Sequence, residues 1–202
     1  MASLQETALS IRSNSRRTRQ KLLFARNFLK HPFQLGSVVP SSRFLVNQLL
    51  APVDWQRARV LAEYGPGVGN ITREILKRMR PDATLVAIEL NSDFVDFLRT
   101  EVEDPRLRVV HGSASDALQT LRAMHLPRVD YIVSGIPYST IPDPLRTEIL
   151  QQSCELLQED GAMLIYQFTR AVVPHLKRHF GFIEQGFAPL NILPAHIFHC
   201  RV

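Results

Sequence analysis

From residue 59 onward, short apolar runs alternate with stretches whose apolar residues recur every three to four positions. The runs at 59–64, 84–90, 107–110, 129–134, 161–168, 182–187 and 196–202 predict seven strands. The segments 70–79, 92–100, 114–123, 144–157 and 171–179 predict helices between them. An earlier helix, capped by Ser41 or Ser42, is predicted to run to about Leu50. This alternation predicts an α/β fold, with a Rossmann-like, doubly wound, mostly parallel seven-stranded sheet covered by helices on both faces. No internal repeat or low-complexity tract interrupts it, and residues 37–202 read as one domain.

Residues 1–36 follow a different pattern and read as a basic N-terminal arm. A helix is predicted at 16–31. At 100° per residue, Arg12, Arg19, Arg26 and Lys30 share a narrow sector, with Leu22, Phe24, Ala25, Phe28 and Leu29 broadly opposite. Arg17 and Lys21 fall on the apolar side, where their aliphatic stems let the charges reach water.

Charge sharpens this division. Residues 1–43 hold eight Arg and Lys against one acid, Glu6, while the rest holds sixteen basic and eighteen acidic residues. The net +5 of the chain therefore resides in the arm. A polyanionic partner is implied, either a membrane surface or nucleic acid. The length of 202 residues and 45% hydrophobic content suit one well-packed domain. No stretch reaches the roughly 18 to 20 apolar residues of a membrane span. The N-terminus lacks an apolar signal core, so a cytoplasmic protein is expected. Cys154 and Cys200 form neither a disulfide framework nor a zinc pattern. His175 and His179 stand four apart on one predicted helix, but no third ligand accompanies them, and no metal is expected.

The first predicted strand runs into Glu63-Tyr64-Gly65-Pro66-Gly67-Val68-Gly69, directly before a helix. Glycines at alternate positions let a ligand approach the backbone and permit dihedrals closed to other residues. A strand-to-helix turn puts this loop at the carboxyl edge of the sheet. The spacing G-x-G-x-G, rather than G-x-G-x-x-G, favours a nucleoside ligand without a pyrophosphate on the helix end. Glu89 ends the second strand, twenty residues past Gly69. A carboxylate there can accept hydrogen bonds from both ribose hydroxyls.

Over residues 38–202 these features resemble the class I S-adenosylmethionine-dependent methyltransferases. Glu63 with Gly65, Gly67 and Gly69 is similar to that family's first motif, and Glu89 to its second. The resemblance implies S-adenosylmethionine as cofactor, S-adenosylhomocysteine as product, and an adenine framed by the turn at His111-Gly112-Ser113-Ala114-Ser115-Asp116. Ser113 stands where many relatives have Asp, so Ser113 and Ala114 are expected to contact adenine through the backbone. Asp116 either contributes there or caps the next helix.

The fourth strand leads into Ser134-Gly135-Ile136-Pro137-Tyr138. In the family this turn faces the transferred methyl group, which makes Ser134 a cofactor neighbour and Gly135 and Tyr138 the catalytic candidates. Gly135-Ile136-Pro137-Tyr138 resembles the Asn-Leu-Pro-Tyr motif of adenine-N6 methyltransferases acting on ribosomal RNA, with Gly135 in place of Asn. Tyr138 is expected to present an aromatic face to a positive centre. Four other stretches resemble the single-chain bacterial phospholipid N-methyltransferases. They are Gly36-Ser37-Val38-Val39-Pro40-Ser41-Ser42-Arg43-Phe44-Leu45, Ser134-Gly135-Ile136-Pro137, Gln167-Phe168-Thr169 and Leu190-Asn191-Ile192-Leu193-Pro194-Ala195. Tyr138 departs from that pattern, where an aliphatic residue is usual.

This second resemblance implies methyl transfer to the amine of phosphatidylethanolamine and its methylated intermediates, or of an ornithine lipid. The basic amphipathic arm then suits peripheral attachment to an anionic membrane at its cytoplasmic face, with Arg19, Arg26 and Lys30 toward the head groups. Arg170, after the fifth strand, is a candidate for a lipid phosphate. An adenine-N6 methyltransferase of ribosomal RNA is the alternative, supported by Pro137-Tyr138 and the basic arm. A non-enzymatic S-adenosylmethionine-binding module is a third reading.

Overall fold

The computed structural model describes residues 42–191 and 193–202. The arm, its Arg19, Arg26 and Lys30, and the boundary near residue 37 lie outside the described residues. The first described element is α1 (Arg43–Leu50), which Ser42 caps by accepting a hydrogen bond from Leu45 N at 3.2 Å. The side chain of Asn191 accepts from Ser42 N at 2.7 Å and donates to Leu193 O at 2.9 Å. Two stretches 149 positions apart thus meet where the chain enters the domain.

The elements that follow are β1 (Val60–Tyr64), α2 (Asn70–Arg78), β2 (Thr84–Glu89), α3 (Ser92–Glu101), β3 (Leu107–His111), α4 (Ala117–Ala123) and β4 (Val129–Ser134). After them come α5 (Asp143–Leu156), β5 (Leu157–Gln167), α6 (Val173–His179), β6 (Phe182–Ala188) and β7 (Ala195–Arg201). They form the expected seven-stranded sheet, in the order β3-β2-β1-β4-β5-β7-β6. The first five strands are parallel, and β7 lies antiparallel between β5 and β6. The strand order reverses between β1 and β4, so their carboxyl ends open the crevice where such sheets bind ligands.

All five residues of β1 are buried because the strand is central and covered on both faces. Val60, Ala62 and Tyr64 pack with Leu121 of α4, Leu150 of α5 and Leu176 of α6. Leu61 points the other way, with Leu45 and Leu49 of α1 and Ile75 of α2.

Two boundaries differ from the sequence pattern. The segment predicted as one helix at 114–123 divides into a 3₁₀ turn, Ala114–Asp116, followed by α4. Ser113 Oγ accepts from Ser115 N at 3.2 Å and fixes that turn. β5 starts at Leu157, directly after α5, rather than at 161. Its opening residues Gln158, Glu159 and Asp160 are exposed and polar, so they carry no apolar signal. The ladder to β4 shifts register between Val129 and Tyr131. Gly161 fits this irregularity, since a Cβ there would lie 2.9 Å from Gln158 O and 3.0 Å from Asp130 O.

Candidate functional site

β1 ends in the glycine loop, and all three glycines adopt left-handed φ, 69° at Gly65, 56° at Gly67 and 77° at Gly69. At Gly65 a Cβ would meet Ile136 Cγ2 at 2.8 Å, and at Gly69 it would meet Leu98 Cδ2 at 2.6 Å. The loop thus needs glycine for its dihedrals and for its packing. Arg73 Nη1 ties it down by donating to Val68 O and Gly69 O at 2.6 and 3.0 Å.

Glu89, at the end of the neighbouring strand, meets the loop. Its Oε2 accepts from Gly67 N and its Oε1 from Asn91 N, each at 2.9 Å. Burial raises its pKa, and these backbone donors pull it back. Each oxygen keeps a lone pair for a ligand hydroxyl.

A cavity of about 600 Å³ opens beside them. Gly65 and residues 88–93 line one side, Gly112, Ser113 and Ala114 the floor, and Ile136, Pro137 and residues 140–142 the far wall with Leu145 and Ile149 of α5. Its size suits a nucleoside with an extended side arm. Gly65 of the left-handed glycine loop and the strand-end carboxylate both line it, as an adenosyl ligand requires.

The other singled-out residues fall into different surroundings. Glu63 lies behind the loop, 2% exposed, and accepts from Thr72 Oγ1 at 2.7 Å. Burial is the largest cause that raises its pKa to about 7, nearby Glu89 adds to the rise, and the Thr72 hydrogen bond opposes it. Ser113 and Ala114 line the cavity. Asp116 is exposed and makes no capping hydrogen bond with its side chain. Arg170 is exposed and donates to Gln185 Oε1 at 2.8 Å. His175 Nδ1 lies 3.3 Å from Asp143 Oδ1.

Tyr138 requires a correction in geometry. Its side chain is 0% exposed, and its hydroxyl lies 3.0 Å from Ser134 Oγ, itself fully buried. Neither side chain lines the cavity, because the 3₁₀ turn Tyr138–Thr140 swings the ring into the core beneath the acceptor loop. Burial holds the hydroxyl far above the usual tyrosine range, so it stays protonated. Tyr138→Phe is expected to cost about 1 kcal/mol of stability from the lost hydrogen bond, with turnover near wild type. Thermal melts and initial rates check this; a large loss of turnover at unchanged stability would restore Tyr138 to the chemistry. Tyr138→Ala would instead empty the core and cost about 3–5 kcal/mol.

Sequence reasoning does not single out Asn91, Ile141, Leu145 or Ile149. In the structure Asn91 caps α3, its side chain accepting from Asp93 N at 2.9 Å. The other three read as ordinary helix or loop apolar positions; the turn after Pro137 brings Ile141 to the cavity, and the packing of α5 brings Leu145 and Ile149.

This cradle, carboxylate and cavity at the strand-order reversal define an S-adenosylmethionine-dependent methyltransferase, and comparisons with known proteins agree. Human methyltransferase-like protein 13 in complex with SAH shares the fold, with a TM-score of 0.60 over 86% of this chain and 82% of that one, at 16% identity. Precorrin-6y C5,15-methyltransferase from Geobacter metallireducens gives 0.63 over 78% and 87%, at 17% identity. The chain belongs to the ribosomal RNA adenine dimethylase family, whose model matches residues 27–176. It is 30% identical to an ornithine lipid N-methyltransferase of Singulisphaera acidiphila, over 89% of this chain and 94% of that protein. It is 26% identical to ribosomal RNA small subunit methyltransferase A of Mycoplasma capricolum, over 60% of this chain. That match covers only 47% of the ribosomal relative. Among the described residues no helix is long and apolar enough to cross a membrane, and no group of three or more metal-ligating side chains occurs.

Proposed function

We propose that this methyltransferase acts on the amine head group of a membrane lipid, phosphatidylethanolamine with its methylated intermediates or an ornithine lipid. The observation that carries this reading is the end-to-end match to the ornithine lipid enzyme, against matches to about half of the ribosomal ones. Gly135 adds support, since it lacks the amide with which Asn in the ribosomal motif would hold a flat base. The family model and Pro137-Tyr138 favour the second reading, adenine-N6 methylation of ribosomal RNA.

In this proposal the glycine loop takes the cofactor's amino-acid end, Glu89 the ribose, and Ser113 and Ala114 the adenine. Ser134 and Tyr138 support the acceptor turn from below. The amine nitrogen attacks the methyl carbon in line, the carbon–sulfur bond breaks, and sulfur keeps the electron pair as S-adenosylhomocysteine leaves. A primary or secondary amine then sheds one proton to solvent. The amine must arrive neutral, so most of the acceleration comes from alignment and exclusion of water. Arg170 is available at the surface for a lipid phosphate, and Arg19, Arg26 and Lys30 for anionic head groups.

Labelled S-adenosylmethionine, offered with anionic vesicles containing phosphatidylethanolamine or ornithine lipid and in parallel with ribosomal RNA, tests the reading. Label is expected in the lipid. Label in RNA alone would overturn the lipid assignment. Deleting residues 1–30 is expected to abolish sedimentation with anionic vesicles while cofactor binding persists, because the residues described around the cavity lie between Gly65 and Ile149 in the chain. Raising salt should weaken the full chain's binding in part, since screening acts on the charges and not on the Leu and Phe face. Equal sedimentation of the truncated chain would remove the arm from membrane attachment.

A further inference from the structure

The acceptor turn has a glycine where a polar side chain would ordinarily reach the substrate nitrogen. The structure shows what occupies that space. A Cβ built on Gly135 would lie 3.0 Å from Cε1 and 3.0 Å from Oη of Tyr166, and 3.3 Å from Cζ. Tyr166 stands on β5, one residue past Ile165, the register partner of Ser134. Its ring is 6% exposed and packs edge-on against Phe168, with centroids 6.3 Å apart. The hydroxyl therefore sits within the reach an amide at position 135 would have.

The main chain of the same turn is largely committed. Ile136 O accepts from Tyr138 N at 3.0 Å and from Gln167 Nε2 at 2.8 Å. Pro137 O accepts from Thr140 N and Thr140 Oγ1, each at 3.0 Å. A carbonyl offers two lone pairs, so neither group has one left for an incoming amine. A tyrosine hydroxyl can accept as well as donate, whatever its existing partner.

We infer that Tyr166 is a specificity-determining residue that replaces, from the neighbouring strand, the side chain missing at Gly135. Its hydroxyl lies behind Gly135 rather than on the lining of the cofactor cavity, and it accepts a hydrogen bond from an acceptor nitrogen that enters past the glycine; its ring denies the space a flat base would need beside position 135. The chemical class this suits is a small alkyl amine on a flexible tether. The inference takes the nature of that nitrogen from the lipid reading above, but its position from Gly135 and Tyr166 alone.

The test uses the full chain and three variants: Tyr166→Phe, Gly135→Asn, and Gly135→Asn combined with Tyr166→Ala. Rates are measured on phosphatidylethanolamine vesicles and, in parallel, on ribosomal RNA, with cofactor affinity and thermal melts for each variant. Tyr166→Phe is expected to lower kcat about tenfold, the equivalent of one hydrogen bond made in the transition state. Its KM for vesicles, cofactor affinity and melting temperature should stay near wild type, a split that a purely structural tyrosine would not give. Gly135→Asn should melt earlier than wild type, and adding Tyr166→Ala to it should lower melting little further, because the asparagine fills part of the space the buried ring leaves. Wild-type kcat in Tyr166→Phe, on whichever acceptor the wild type methylates, overturns the contact. Wild-type melting in Gly135→Asn overturns the shared space. Methylation of RNA alone by the wild type overturns the lipid reading separately, and the Tyr166→Phe comparison is then read on RNA.

Discussion

Glu89→Ala is expected to weaken S-adenosylmethionine binding about a hundredfold, the equivalent of about 2.7 kcal/mol. Two hydrogen bonds from ribose hydroxyls to a carboxylate would be lost, each worth roughly 1.5–3 kcal/mol before competition from water. The carboxylate is also well held for that task, by Gly67 N on one oxygen and Asn91 N on the other. Removing it strands the buried Gly67 N and the half-buried Asn91 N, so a lower melting temperature should accompany the loss. Glu89→Gln keeps one carbonyl oxygen and is expected to fall between wild type and Ala. Calorimetric titration with cofactor, on protein shown to be folded, measures the effect. Unchanged affinity in folded Glu89→Ala would remove the ribose assignment.

The second large effect is a dependence of stability on pH that originates at Glu63. Burial raises its folded pKa from 4.5 to about 7, so between those values the folded state binds the proton more tightly than the unfolded chain. Stability is then greatest below pH about 4.5 with respect to this group and falls as pH rises toward 7. Above that it levels off, because both states are ionised. The full span amounts to about 3 kcal/mol. Glu89, raised by burial in the same direction, adds to the slope. Asp104, held low chiefly by its hydrogen bond from Arg106, acts oppositely and at lower pH. Glu63→Gln cannot ionise and should flatten the slope between about pH 5 and 7 while retaining an acceptor for Thr72 Oγ1. Denaturant unfolding at several pH values across that window compares the two proteins, and parallel slopes would show that Glu63 does not titrate there.

Both effects begin at residues that stand out in the sequence, but with different outcomes. Glu63 and Glu89 each lie at or near a strand end; spacing makes Glu89 a candidate for the cofactor, and the family resemblance makes Glu63 one. The structure separates them by depth: Glu63 pairs with Ala87, so Glu89 stands on the same face but two residues nearer the carboxyl edge. Glu89 lines the cavity, whereas Glu63 turns beneath the loop to meet Thr72 of α2. Period-2 alternation assigns each residue a face within its own strand, but which strand end reaches the ligand depends on the register between strands.

The layered architecture, the seven strands, the glycine loop and Glu89 as its partner are all legible in the order of amino acids. They follow from local periodicity and from glycine's access to left-handed φ, both written in neighbouring residues. The surroundings of the acceptor turn are legible only in three dimensions. Folding buries Tyr138, which a linear motif offers to the substrate, because a 3₁₀ turn reverses the chain just after Pro137. It brings α5 over the cavity and sets Tyr166 against Gly135, across a ladder between strands about thirty residues apart. It also joins Ser42 to Asn191, from opposite ends of the domain. Such contacts depend on strand order and register, which arise from the packing of the whole sheet and leave no periodic trace in any single segment.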